Sequence, residues 1–261
     1  MYGPGKELLR QGGYPGTQAC GPIHLQRSNH SLRQVAHRSD LFRLVLLVTF
    51  AVAVTTSASG CFGVIALRPE LRAAAATHDA PALADGVEKL IDERRDREQD
   101  REAAYDAVRQ WPQKNAAYAY ARAVLAGRLA QVKILTAVGL VAETEKWARR
   151  SNALDPAYRD GAARRLLGTL YVLAPASLVQ HGDSEDGLEL LEELLEEYPD
   201  NPENRLRLAE AYVSLDDPEP AYELLCASLA EKDELRPDSR RALARLVDAV
   251  DRTELGCPTG K

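Results

Sequence analysis

The stretch from Gly168 to Leu225 restricts the fold more than any other part of the chain. In its second half Ala209 and Tyr212 lie three apart and share one helix face, Ala221 follows Ala209 by twelve, and Leu225 follows Ala221 by four. The same order of small, aromatic, small and apolar runs through Gly168, Tyr171, Gly187 and Leu191, with Pro199 twelve after Gly187, where a helix must stop. Counting on from Pro199, a unit of 34 residues places the next small residue at Ala209, and it falls there. Small residues at fixed positions let paired helices approach closely, so this register predicts stacked helical hairpins.

The register resembles that of a tetratricopeptide repeat protein, which implies an all-α fold of helical hairpins stacked in an α-solenoid. Composition agrees with helix. The 261 residues are 45% hydrophobic, 28% charged and only 6% aromatic, and Ala, Leu, Arg and Glu dominate. The net charge is −6, but six basic residues stand against Glu7 and Asp40 before Gly60, so the remainder carries about −10. That balance argues against a nucleic-acid partner.

Residues 1–60 read as a leader and a lipoprotein-type signal peptide, without fold at first and then an apolar helix. Met1 to Asp40 has Gly-Pro and Pro-Gly pairs and no helical periodicity. Arg38 and Arg43 then precede the apolar run Leu44 to Val54, which gives way to small residues ending at Cys61. Ala58-Ser59-Gly60-Cys61 resembles a bacterial lipobox, with Ala58 where Leu is usual, and the resemblance implies acylation of Cys61. Two other readings stay open. No charge occurs from Leu44 to Leu67, long enough for an uncleaved anchor, and cutting near Ser59 would give plain secretion. All three export the helical part. Met1 is the only Met, and the long basic lead points to a later start, for example at Val35 or Leu41.

Residues 61–80 read as a lipid-anchored tether with a small helix opened by Pro69, and residues 81–261 as the repeat domain with a terminal capping helix. Phe62, rather than the Asp that often retains such proteins in an inner membrane, weighs toward the outer membrane. Leu83, Val87, Leu90 and Ile91 mark one helix face; Ala103, Ala104, Ala107 and Val108 mark the next. The mixed-charge run Asp92 to Arg101 between them reads as a solvated helix face with i,i+4 pairs, with a docking patch as its alternative. Asn115 is placed to cap a third helix, and its partner runs from about Val138 to Asn152. Between Gly168 and Gly187 seven residues are inserted relative to the later hairpin, so Leu173 to Gly182 should be a loop, after which Asp183 and Asp186 form a shortened capping box. The final helix carries Leu243, Leu246, Val247 and Val250 inward, with Arg240, Arg241, Arg245, Asp248 and Asp251 on a solvated back.

Cys20 would leave with the leader, so Cys226 and Cys257 remain for a disulfide in an oxidising compartment, or for a buried thiol and a frayed one. Enzyme chemistry has no foothold: there is no Gly-rich phosphate loop, no Gly-x-Ser-x-Gly, and no Cys or His cluster with zinc spacing, so neither catalytic residues nor metal nor cofactor is expected.

The lipobox, the elongated middle repeats, Tyr118 with Arg122 four residues on, and Gly182-Asp183 opening a helix together resemble the TatT component of tripartite ATP-independent periplasmic transporters. That resemblance implies a periplasm-facing envelope lipoprotein, often trimeric. It would be a non-catalytic accessory of solute transport that binds a solute-binding protein and a small hydrophobic or organic-acid ligand. The wider alternative is a protein-interaction scaffold at the bacterial envelope. Tyr118, Arg122, Leu178 and His181 are the groove candidates, lined by the inserted loop and the helices beginning at Asn115 and Gly161, with Arg122 pairing an anionic group.

Overall fold

The helical periods appear as ten α-helices among the residues that the computed structural model describes, 66–250 and 255–257. They are α1 (Pro69–Ala76), α2 (Ala80–Asp92), α3 (Glu98–Arg109), α4 (Ala116–Ala130), α5 (Ala137–Leu154), α6 (Ala162–Leu173), α7 (Ser184–Glu197), α8 (Pro202–Ser214), α9 (Glu219–Ala230) and α10 (Pro237–Ala249). No strand occurs among the described residues. The leader, Cys20, Cys61 and Asp251 lie outside them.

Local chemistry sets the ends of most helices. Asn115 accepts the Tyr118 N–H at 2.7 Å and so caps α4. Asp183 accepts the N–H groups of Glu185 and Asp186, and Asp186 answers to the Asp183 N–H, completing a capping box at α7. Asn201 and Asp79 cap α8 and α2 in the same way, and Pro202 and Pro237 open α8 and α10. Pro199 stands exposed in the turn after α7.

Consecutive helices pair as α4 with α5, α6 with α7, and α8 with α9. Apolar clusters follow one another along the chain. Leu83, Val87, Leu125 and Leu129 belong to the first, Ala148, Leu167 and Tyr171 to a second, and Leu191 and Leu208 to a third. Ala209, Ala221, Leu225 and Leu243 belong to the last. Each cluster is buried only because neighbouring hairpins cover it, the ordinary condition of a helical stack. The repeat signature sits at a close crossing of α6 and α7. A methyl group on Gly168 would lie 2.8 Å from the Gly187 carbonyl oxygen and 2.6 Å from Leu191 Cγ.

Three expectations are corrected. The segment assigned to a tether is already inside the fold from Arg68 onward: Leu71 of α1 is buried against α2, and Arg68 pairs with Asp100 at 2.9 Å. The run Asp92 to Arg101 ends α2, turns and starts α3, and it is solvated only in part: Glu93, Arg94, Arg95, Arg97, Glu98 and Gln99 are exposed, but the end of the run is not. Asp100 and Arg101 are buried, and Arg101 spans from Asp96 to the Arg128 carbonyl. The back of the last helix is not wholly solvated either, because Arg241 donates to the carbonyls of Ile91 and Asp92 at 3.0 and 3.1 Å.

That last contact closes the stack on itself. The first helices of successive pairs touch in order, α2 with α4, α4 with α6, α6 with α8 and α8 with α10, and α10 then touches α2. At the closure Glu88 of α2 accepts both Arg128 of α4, at 2.6 and 2.8 Å, and Arg236 ahead of α10. Arg236 also reaches Asp92, and Asp92 accepts the Asp238 N–H at the start of α10 at 3.1 Å. A carboxylate thus meets the positive end of α10 while a guanidinium covers the negative end of α2, both favourable to the helix dipoles. A further crosslink joins Cys226 of α9 to Cys257 by a disulfide with Cα atoms 5.3 Å apart.

Burial alone would raise the Glu88 pKa, but hydrogen bonds and charge from Arg128 and Arg236 outweigh it and hold the carboxyl at about 2, against 4.5 ordinarily. A folded pKa below the unfolded one gives stability that is complete above about pH 5 and is lost as pH falls through 4.5 toward 2. Glu88→Gln should therefore cost on the order of 3 kcal/mol at neutral pH in urea unfolding, and its deficit against wild type should shrink on acidification. A pH-independent deficit would show that charge is not what closes the stack. Gly168→Ala should lower the urea midpoint through about 1–3 kcal/mol of overpacking, which outweighs the about 1 kcal/mol that Ala gains in helix propensity. An unchanged midpoint would mean that α6 and α7 can separate at little cost.

Candidate functional site

Polar side chains of the later first helices are bonded from one to the next. Glu203 of α8 accepts the Arg236 N–H at 3.2 Å and Ser239 Oγ at 2.7 Å, and buried Asn204 is bonded to Arg165 and to the Asp160 carbonyl. An open concavity lies between α5 and the inserted loop. It is a cleft of about 530 Å³ lined by Arg122, Ala142, Glu143, Lys146, Trp147, Arg149, Gln180 and His181.

The loop stands there because of one buried carboxylate. Glu145 of α5 is 1% exposed and accepts the backbone N–H groups of Gln180 and His181 at 2.9 and 2.8 Å. Tyr171 donates its hydroxyl to the same carboxylate at 3.1 Å, and His181 Nδ1 lies 3.2 Å away. A carboxylate withdrawn from water needs several donors, and the seven extra residues supply two of them from their own backbone. The insertion is therefore folded down against α5, and Gln180 and His181 become a wall of the cleft.

The opposite wall is built on Arg122. Its guanidinium lies 4.3 Å above the Trp147 ring and donates to Glu143, with Nε 2.8 Å from the carboxylate oxygen. Tyr105 donates to Glu143 as well. Burial and the Glu143 carboxylate push the Tyr105 hydroxyl up to about 12, and Glu143 itself, although burial opposes it, is held below the usual carboxylate range by Tyr105 and Arg122. Arg122 is thus committed to Glu143 rather than presented to an anionic ligand, which corrects the role expected for it.

The other groove candidates divide. His181 lines the cleft and is half-exposed. Tyr118 is behind it, 1% exposed, with its hydroxyl donated to the Val108 carbonyl and its ring edge-on to Trp147. Leu178 is in the loop, its N–H bonded to the Pro175 carbonyl, but it does not line the cleft. The α6 helix, expected as a wall, contributes Tyr171 beneath the loop instead.

Sequence reasoning missed Glu143, Glu145, Lys146 and Arg149. A signal was present for Glu145: it lies four after Val141 and three before Ala148, on the buried stripe of its helix, where a lone charge needs bonded company. Among the described residues no group of three or more His, Cys, Asp or Glu could hold a metal ion. No helix there is long and apolar enough to cross a membrane. The cleft can offer charge from Lys146 and Arg149 and hydrogen bonds from these and His181, beside the Trp147 ring.

Glu145→Gln turns one acceptor toward the loop into a donor. Amide exchange at Gln180 and His181 should accelerate by at least about tenfold, corresponding to a lost bond to a charged group of roughly 1.5–3 kcal/mol. Unchanged protection at both amides would mean that other contacts hold the loop.

No curated protein matches the chain. Residues 178–246, from the end of the inserted loop through most of α10, match the family model of the tetratricopeptide repeat. That segment carries the later signature residues Ala209, Tyr212, Ala221 and Leu225, and the pairs before it continue the same helical architecture, which supports a tetratricopeptide-repeat protein.

Proposed function

We propose that this protein is a non-catalytic interaction scaffold of the bacterial cell envelope, and that it binds its protein partner in the cleft between α5 and the inserted loop. The observation that carries this reading is the exposed positive charge in that cleft. Glu143 is answered by Arg122 and Tyr105, and Glu145 is buried under the loop, whereas Lys146 and Arg149 stand exposed beside Trp147 and His181, Arg149 also reaching the Tyr171 hydroxyl. A carboxylate-bearing segment of a partner would find cations and a flat aromatic surface together. Repeats of this kind generally bind proteins.

The narrower reading makes the partner a periplasmic solute-binding protein and the chain an accessory of solute transport, anchored by lipid at Cys61 in the outer membrane. The lipobox-like ending and the elongated middle repeats support it. A small organic acid would use the same cations as a peptide carboxylate, so one pair of substitutions tests both.

In affinity purification from intact membranes, Lys146→Glu with Arg149→Glu should reduce partner recovery by about tenfold or more, equivalent to 1.4 kcal/mol of binding. Its thermal midpoint should stay near wild type, because both side chains are exposed. Recovery of the same proteins at the same yield would overturn the cleft as the binding surface. An organic acid that raises the melting point of wild type but not of the double variant would favour the transport reading.

A further inference from the structure

Where α4 connects to α5, three large aliphatic side chains stand mostly uncovered among the described residues. Ile134 and Leu135 are 87% and 98% exposed, and Val138, one helical turn on, is 60% exposed. Gly139 beside them has no neighbour within 4 Å of where a side chain would start. Other large apolar residues of the described chain lie singly or are packed, so this is a concentrated apolar tip in which three solvated side chains come from five consecutive positions.

The base of the tip and the point where the chain enters the fold are held by the same turn of α3. Lys133 is 2.8 Å from Glu98 and 3.0 Å from Glu102. Arg68 is 2.9 Å from Asp100, two residues along from Glu98. Immediately before Arg68 in sequence comes the uncharged run Leu44 to Leu67. If the run is kept, a bilayer adjoins Arg68 directly. If it is cut and Cys61 acylated, seven residue steps separate lipid from fold, at most about 25 Å of extended chain.

We infer that Ile134, Leu135 and Val138 insert into the bilayer surface beside the N-terminal anchor, so that the helical stack is held to the membrane at two points. The occupant is lipid rather than protein for a reason of area. A stable protein interface needs about 800 Å² from each partner, far more than three side chains on one turn present, whereas lipid needs no complementary shape. The second point would fix the rotation of the stack about its anchor and hold the cleft at a set height above the membrane. This inference rests on the envelope anchoring proposed above.

The test places a tryptophan at the tip of the full chain, Leu135→Trp, and another at Leu154→Trp, about 25 Å away along α5 and also exposed. Wild type, with Trp111 and Trp147, supplies the background. Each protein is reconstituted with phosphatidylcholine–phosphatidylglycerol vesicles, floated, and quenched with brominated acyl chains or aqueous iodide. The expected result is that all three float, that Leu135→Trp gives added blue-shifted emission removed by bromolipid and spared by iodide, and that Leu154→Trp gives the reverse. If wild type fails to float, the anchoring falls and the inference with it. If all float but Leu135→Trp is quenched by iodide as readily as Leu154→Trp, anchoring stands and the tip is overturned. Shielding of Leu135→Trp from both quenchers would assign the tip to a second copy of the chain or another protein, and would also overturn it.

Discussion

Glu88 sits between Arg128 of α4 and Arg236 at the entry to α10, and through these two guanidiniums it joins parts of the chain nearly 150 residues apart. A stack of helical hairpins has no reason of its own to close, since each unit is covered by its neighbours and the ends are free. Closure here is ionic, not apolar: Glu88, Asp92 and Asp238 face Arg128, Arg236 and Arg241, and helix ends of opposite sign meet. Such a cluster leaves any member severely unpaired when a partner is lost, because each charge has been partly withdrawn from water. Its consequence is architectural as well as energetic. The first and last of the described first helices, α2 and α10, are held in contact.

In the middle repeats a second buried carboxylate acts in a comparable way at short range. Glu145 gathers Tyr171, Gln180 and His181 and turns an insertion into a wall. With the loop in place, Trp147 and the exposed cations of α5 face a defined space instead of open solvent. Glu143 completes the arrangement by holding Arg122 flat on Trp147, so that the aromatic floor is stacked with a fixed cation. The apolar tip lies in the turn leading into α5 and at its first residues, so this helix bears the cleft along its middle and has the proposed membrane contact at its start.

Much of this was readable before any coordinates. The small and aromatic positions Gly168, Tyr171, Gly187, Ala209 and Ala221 specified helical pairing because close approach of two helices leaves little choice of residue. Caps at Asn115 and Asp183 were equally plain, since capping is a local bond between residues two or three apart. The inserted loop could be located by counting alone. Arg122 could not be assigned, because its bond to Glu143 spans two helices and a guanidinium looks the same in sequence whether it is committed or free.

The sequence by itself determined the repeat, its register and the point at which the register breaks, all of which depend on separations of a few residues along one helix or one hairpin. Tertiary structure alone decided that the ends meet and that the insertion lies down on α5. Glu88 and Glu145 each announce themselves as charges on an apolar stripe, but a stripe says only that a partner is needed. Which partner arrives, Arg236 from the far end or the backbone of Gln180 and His181 from the next unit, is set by how each hairpin turns on the one before it, and no local rule encodes the accumulated turn.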